Sequence, residues 1–171
     1  MDKLPDNEYA SFYAKYIEAL VNNDKGIVEN LEGTYKNAFE ILTNIPKEKH
    51  LYSYAKDKWT IKQLIQHFID AERVLSYRAL RFARRDATDL AGFEEDEYVK
   101  YSNGNDRDYA DLLEEFSTVR KSTIQLFRSF DENALPRIGS ANGTIVSVRA
   151  LGYIISGHLK HHLNIIMSRY I

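Results

Sequence analysis

The side chains best equipped for chemistry in this chain are histidines. Two of them, His158 and His162, stand one helical turn apart in Gly157-His158-Leu159-Lys160-His161-His162-Leu163-Asn164. A helical pattern runs from about residue 144 to 168. At ~100° per residue the two rings lie about 40° apart around the axis and about 6 Å apart along it. That spacing lets two imidazoles bind one metal ion. Val148, Leu151, Ile155, Leu159 and Ile166 mark the apolar stripe of this helix, and His158 and His162 fall near its middle. Four ring nitrogens must then be satisfied away from water, by hydrogen bonds within a core or by a metal. His161 falls toward the stripe's margin, beside Ile154 and Ile165; a fourth ligand, a proton shuttle or neither are its open roles, with no ligand role favoured.

A third imidazole is available at His67. The stripe Ile61, Leu64, Ile65, Phe68, Leu75, Ala79 and Phe82 defines a second helix, with His67 just off one edge and Glu72 close to the centre. Burying a lone carboxylate is costly, so Glu72 needs a partner. Two roles stay open for it: a structural bond to a neighbouring helix, or a group behind a metal ligand that serves as acceptor or acid/base. Bundles build metal sites from facing helices, which makes His67 the natural partner of His158 and His162. Three imidazoles without a fourth protein ligand leave a coordination position open, the arrangement of a catalytic site. One divalent ion there would generate a nucleophile from water or polarise a bound oxygen or thiol. Three imidazoles suit zinc, nickel, iron or copper; zinc or nickel is favoured, with iron or manganese behind.

The elements that must position these groups read as helices throughout. Residues 7–21 carry an aromatic face (Tyr9, Phe12, Tyr13, Tyr16) and form a short helix expected to lie on the body as a lid or strap. Asn22-Asn23-Asp24 breaks it and can cap a first long helix over 24–43, with the seam Ile27, Leu31, Thr34, Ala38, Ile41. A connector over 44–58 contains His50, read as surface. Thr60 and Gln63 form a capping box for the second long helix, stapled by Trp59 and Leu64. The basic run Arg78, Arg81, Arg84, Arg85 reads first as a solvated helix face and second as an anion contact. Periodicity fails over 86–106, where Phe93, Tyr98 and Tyr101 could cover the mouth of a site. Asp108 can cap the third long helix, with the seam Leu112, Phe116, Val119, Thr123, Leu126, Phe130, widened by Leu113 and Phe127. After the loop 131–143, Thr144 can cap the fourth. No run reads as a strand. The expected fold is an all-α four-helix bundle with an additional short N-terminal helix.

The totals fit one domain over residues 1–171 with a substantial core. A net charge of −2 gives no electrostatic case for nucleic acid or an acidic membrane. The absence of cysteine removes thiolate nucleophiles, Cys-zinc sites and disulfides, and fits the cytoplasm. Met1-Asp2-Lys3-Leu4-Pro5-Asp6 is not followed by an apolar region, so no signal peptide is read, and no apolar run reaches the ~18 residues of a membrane span.

Trp59-Thr60-Ile61-Lys62-Gln63-Leu64-Ile65-Gln66-His67-Phe68-Ile69-Asp70-Ala71-Glu72-Arg73, continued by Tyr77 to Arg84, resembles the second helix of the DinB/YfiT-like superfamily of metal-binding bundles. Ser147-Val148-Arg149-Ala150-Leu151 through Gly157-His158 and His162 resembles its final helix. The resemblance implies an up-down-down-up bundle, one divalent metal on His67, His158 and His162, and a homodimer. Where some members have Arg-Gly-Gln after the last His, this chain has Leu163-Asn164-Ile165, which is similar to the YfiT-like branch. Relatives of this kind include metal-dependent hydrolases, and thiol S-transferases and isomerases that use a low-molecular-weight thiol. The resemblance therefore implies an enzyme acting on a small molecule, with the metal activating a thiol or a water. The alternative is a non-catalytic metal-binding bundle serving stress response or partner binding.

Overall fold

A computed structural model describes residues 4–21 and 24–171. Asn22 and Asn23, expected to break the first helix, and Met1 to Lys3 lie outside the described residues. Four long helices carry the architecture: α2 (Ile27–Thr43), α3 (Ile61–Ala83), α5 (Tyr109–Arg128) and α6 (Val148–Ile165). Two shorter ones, α1 (Ala14–Val21) and α4 (Glu95–Tyr101), lie in the segments before and between them. α2 packs mainly on α5 and α6, and α3 on the same two. Chain neighbours α2 and α3 thus sit across one diagonal, and α5 and α6 across the other. This is the up-down-down-up bundle, and it faces α3 directly against α6. No helix among the described residues is long and apolar enough to cross a membrane.

The helix starts follow local chemistry. Thr60 Oγ1 accepts from the Gln63 backbone N–H at 3.2 Å, and Gln63 Oε1 accepts from the Thr60 N–H at 2.9 Å, the capping box read from the sequence. α2 begins at Ile27, three residues later than Asp24, because Gly26 takes the cap position and the Glu29 carboxylate accepts its N–H at 2.7 Å. Asp108 occupies the cap position of α5 without a side-chain bond. α6 begins at Val148 rather than near Thr144: Ser147 Oγ accepts from the Ala150 N–H at 3.0 Å. After Ile165 the chain closes in a π-helical turn, Ile166–Tyr170.

The expectation that no strand exists is corrected. Ile138–Ala141 (β1) pairs antiparallel with Thr144–Ser147 (β2) across the turn Asn142-Gly143. Both turn residues have positive φ, 54° and 68°, the requirement of the tight turn that matches strand twist. The hairpin holds the long 84–94 segment: the Leu90 N–H donates to Ser140 O at 3.0 Å and Leu90 O accepts from the Asn142 N–H at 2.8 Å. Phe93 and α4 follow from that anchor.

The N-terminal segment is a strap, as expected, though only Ala14–Val21 is α-helical, with two single 3-10 turns before it. Ile17 and Leu20 are buried. Glu8, itself buried, accepts from Ser147 Oγ at 2.8 Å and from Arg149 Nε at 2.6 Å. α1 lies directly on α6 because residue 157 is glycine: a Cβ there would stand 2.0 Å from Tyr16 O. The strap therefore crosses the bundle beside His158.

Candidate metal centre

Glu72 and Arg120 set the frame in which the histidines sit. Glu72 is 4 % exposed and Arg120 1 %. Arg120 Nε donates to Glu72 Oε1 at 2.8 Å and to Oε2 at 3.0 Å, and Nη2 donates to Oε2 at 2.8 Å. Arg120 Nη1 donates to Leu31 O and to Thr34 Oγ1, both at 3.0 Å. One guanidinium thus ties α5 to α3 and α2 and takes both oxygens of Glu72. The seam read from the sequence placed Val119 inward and missed Arg120. The buried set on α5 is Leu112, Phe116, Ser117, Arg120, Thr123, Ile124 and Phe127, so the reading holds at Leu112, Phe116, Thr123 and Phe127, while Val119 and Leu126 are only half-buried and Arg120 takes the inward place beside Val119. The need of Glu72 for a cation was the available signal.

Five residues before Glu72 along α3, His67 faces α6. The fold brings together all three imidazoles singled out above. His158 Nε2 lies 3.0 Å from His67 Nε2 and 3.1 Å from His162 Nε2. The three ring centroids are 4.6 to 5.0 Å apart, and one nitrogen from each ring falls within 4.8 Å of the other two. His67 and His158 are buried and His162 half-buried. Burial lowers the His67 pKa from 6.5 to about 4. Burial first, then the neighbouring His67, lowers that of His162 to about 3. Burial, then His162, holds His158 well below the ordinary value. All three rings are therefore neutral near pH 7, with lone pairs free for a cation.

The donor set fits a divalent ion. Bonds of ~2.0–2.1 Å in a tetrahedral shell need ligand nitrogens about 3.3 Å apart. The two short separations already meet this within a few tenths of an ångström, and an inward swing of the His67 and His162 rings closes the third. The donors are imidazole nitrogens with no carboxylate among them, a set that suits zinc, nickel or iron.

Aromatic rings enclose the cluster. Trp59 packs on His67 with centroids 4.7 Å apart, Phe68 on His162 at 5.7 Å, and Tyr16 of the strap on His158 at 5.5 Å. Tyr170 Oη donates to the Trp59 backbone carbonyl at 2.7 Å, which ties the C-terminal turn to the start of α3. A cavity of about 260 Å³ is lined by His162, Trp59, Leu64, Tyr54 and Asp96. A second, of about 550 Å³, shares Trp59 and Asp96 and is lined by Tyr16, Arg78 and Phe93. A third, of about 10 Å³, lies between the Glu72–Arg120 pair and His158.

The remaining candidates fall elsewhere. His161 is half-buried against Tyr16 and stands apart from the three-nitrogen cluster. His50, read as surface, is half-buried, stacked on Tyr109 at 3.5 Å with Nε2 3.2 Å from Ile45 O. The reading of the basic run as a solvated face holds for Arg84 and Arg85 but fails for Arg78, which is 3 % exposed because α3 presents that position to the strap and the 84–94 segment. Of the three loop aromatics, Phe93 reaches the cavity with Tyr98 packed on it at 5.1 Å, and Tyr101 is exposed.

A diagonal four-helix bundle with three imidazoles converging between α3 and α6 defines the class. The chain belongs to the DinB superfamily, whose sequence profile matches residues 30–166. A search of curated protein sequences returned no match. Among solved structures the chain is similar to YfiT from Bacillus subtilis, described as a probable metal-dependent hydrolase with an unusual four-helix bundle topology. The TM-score is 0.71 at 15% identity, covering 96% of this chain and 89% of YfiT. It is also similar to a mycothiol-dependent maleylpyruvate isomerase, with TM-score 0.67 and 15% identity over 80% of this chain and 57% of the isomerase. YjoA, a DinB-like protein of Bacillus subtilis, superposes with TM-score 0.61 and 18% identity over 83% of this chain and 87% of its own.

Proposed function

We propose that His67, His158 and His162 hold one divalent metal ion and that the protein is a metal-dependent enzyme acting on a small molecule. The observation that carries this reading is the meeting of three neutral imidazole nitrogens within 4.8 Å, on the wall of a cavity that His162 itself lines. Zinc or nickel is the favoured ion, with iron or manganese next. When bound, the ion supplies Lewis-acid activation of a thiol or a water, the chemistry of S-transfer or hydrolysis.

The chain's own residues do the rest. Burial keeps the three rings unprotonated, so the donors need not shed protons near pH 7. Trp59, Phe68 and Tyr16 wall the cluster and hold bulk water off its apolar sides. Glu72, with both oxygens engaged by Arg120, acts as a positioning residue behind His158 rather than as an acid or base. Thiol transfer is preferred over hydrolysis, because the fold is shared with an isomerase that depends on a low-molecular-weight thiol. The reading includes a homodimer in the cytoplasm. Its test is a thiol-conjugation assay on protein loaded with zinc or nickel, with His67→Ala as control. Metal-dependent turnover that His67→Ala abolishes is expected; turnover by the metal-free variant equal to wild type would refute it.

A further inference from the structure

Two arginines are buried in this bundle, and they are treated differently. Arg120 has Glu72 as counter-charge and fills its remaining donors with Leu31 O and Thr34 Oγ1. Arg78, 3 % exposed, donates Nη2 to Ala91 O at 2.9 Å and stands 5.8 Å from the Phe93 ring. Its Nε is shut off from solvent with no acceptor among the described residues. No described carboxylate comes within ion-pair distance of it. The Tyr13 hydroxyl faces the Arg78 side chain but brings no charge, and a buried guanidinium without a counter-ion is costly.

Arg78 lines the cavity of about 550 Å³, whose wall includes Trp59 and Tyr16, the rings packed on His67 and His158. Lys15 adds a second positive charge to the lining. The same cavity is lined by Glu94, Glu95 and Asp96, carried there by the hairpin-anchored segment and α4. Its lining thus carries cations, one of them buried with no counter-charge among the described residues, together with a group of carboxylates.

No metal-ligand histidine lines this cavity, which adjoins the His162-lined one through Trp59 and Asp96; we propose that it holds the part of the substrate remote from the metal and that Arg78 binds the carboxylate of an amino-acid-like zwitterion whose ammonium meets the Glu94–Asp96 wall. The planar fork of arginine matches a carboxylate, and the carbonyl of Ala91 fixes the fork's orientation. The acidic wall weakens the binding of simple anions, so both ends of the ligand contribute to selection. The assignment rests on the metal-site reading only for the word substrate; the binding itself needs no metal.

The test uses metal-free, ¹⁵N-labelled protein and three unreactive probes of one chain length: γ-aminobutyrate, butyrate and n-butylamine. The Arg78 Nε–H resonance is expected to move with γ-aminobutyrate and with butyrate, to bind the former several-fold more tightly, and to stay still with n-butylamine. Arg78→Gln is expected to weaken γ-aminobutyrate at least about tenfold, and Arg78→Lys less. An Arg78 signal unmoved by either carboxylate, or n-butylamine binding as tightly as γ-aminobutyrate, would overturn the assignment. The wild-type titration decides the matter even where a variant fails to fold. The probes carry no thiol and the protein no metal, so a silent Arg78 signal leaves the metal chemistry untouched. Loss of metal-dependent turnover likewise leaves the pocket standing.

Discussion

Replacing Arg120 by methionine removes the only counter-charge on Glu72 among the described residues and two further bonds to α2. Glu72 is 4 % exposed, so the carboxylate left behind has no water to replace three donor contacts of 2.8 to 3.0 Å. Leu31 O and Thr34 Oγ1 lose a donor as well. Breaking a buried pair from one side costs about 3–5 kcal/mol, which for a chain of this size lowers the melting temperature by roughly 10 °C. Removing both charges together costs far less, since nothing is left unpaired: Glu72→Met with Arg120→Met should fall within about 2 kcal/mol of wild type. Glu72→Gln should lie between, because its amide oxygen still accepts from Nε or Nη2. Urea denaturation of metal-free wild type, Glu72→Met, Arg120→Met and the double variant gives the cycle, with Glu72→Gln measured beside it. A second readout is affinity for zinc, expected to fall about 10- to 100-fold in Arg120→Met as α3 loses its fixed position beside α6. An Arg120→Met protein within about 1 kcal/mol of wild type would refute the claim that this pair frames the site.

Three other outcomes follow from the same geometry. Gly157→Ala places a methyl 2.0 Å from Tyr16 O, so α1 must lift off α6. A loss of about 1–3 kcal/mol and faster proteolysis within residues 4–21 are expected. Acid should unfold the metal-free protein early. With the His67 pKa held near 4 in the fold and near 6.5 when unfolded, the unfolded chain binds the extra proton, so stability is fully present above about pH 6.5 and is lost as pH falls toward 4. His67 alone accounts for about 3 kcal/mol of that loss, readable as a pH series of melts that His67→Ala flattens. Tyr170→Phe removes the bond to Trp59 O, costing about 1 kcal/mol and shifting the emission of the single tryptophan.

Much of this site was legible because helices repeat regularly. The 100° turn put His158 and His162 on one buried face, and a capping box fixed the phase of α3 so that His67 could be placed against them. What escaped was whatever depended on contacts between distant segments. Arg120 puts a charge into an apolar face, so the α5 seam assigns the inward place to its neighbour Val119; only the partner requirement of Glu72 points to it. Arg78 looks like surface in a basic run until the strap and the 84–94 segment are folded over it. The hairpin carried its own signal in Asn142-Gly143, passed over because four-residue strands are too short to show alternation. That hairpin is what delivers Phe93 and the acidic wall to the cavity.

Three rings meeting at one cation is the claim on which the rest depends, and ion stoichiometry tests it most directly. Wild-type protein and the single variants His67→Ala, His158→Ala and His162→Ala, equilibrated with zinc and freed of excess, should separate cleanly by elemental analysis. One tightly held ion per chain is expected in wild type, with loss of that ion in each variant. Retention of a full equivalent by any of the three, or no ion in the wild type, would contradict the shared site.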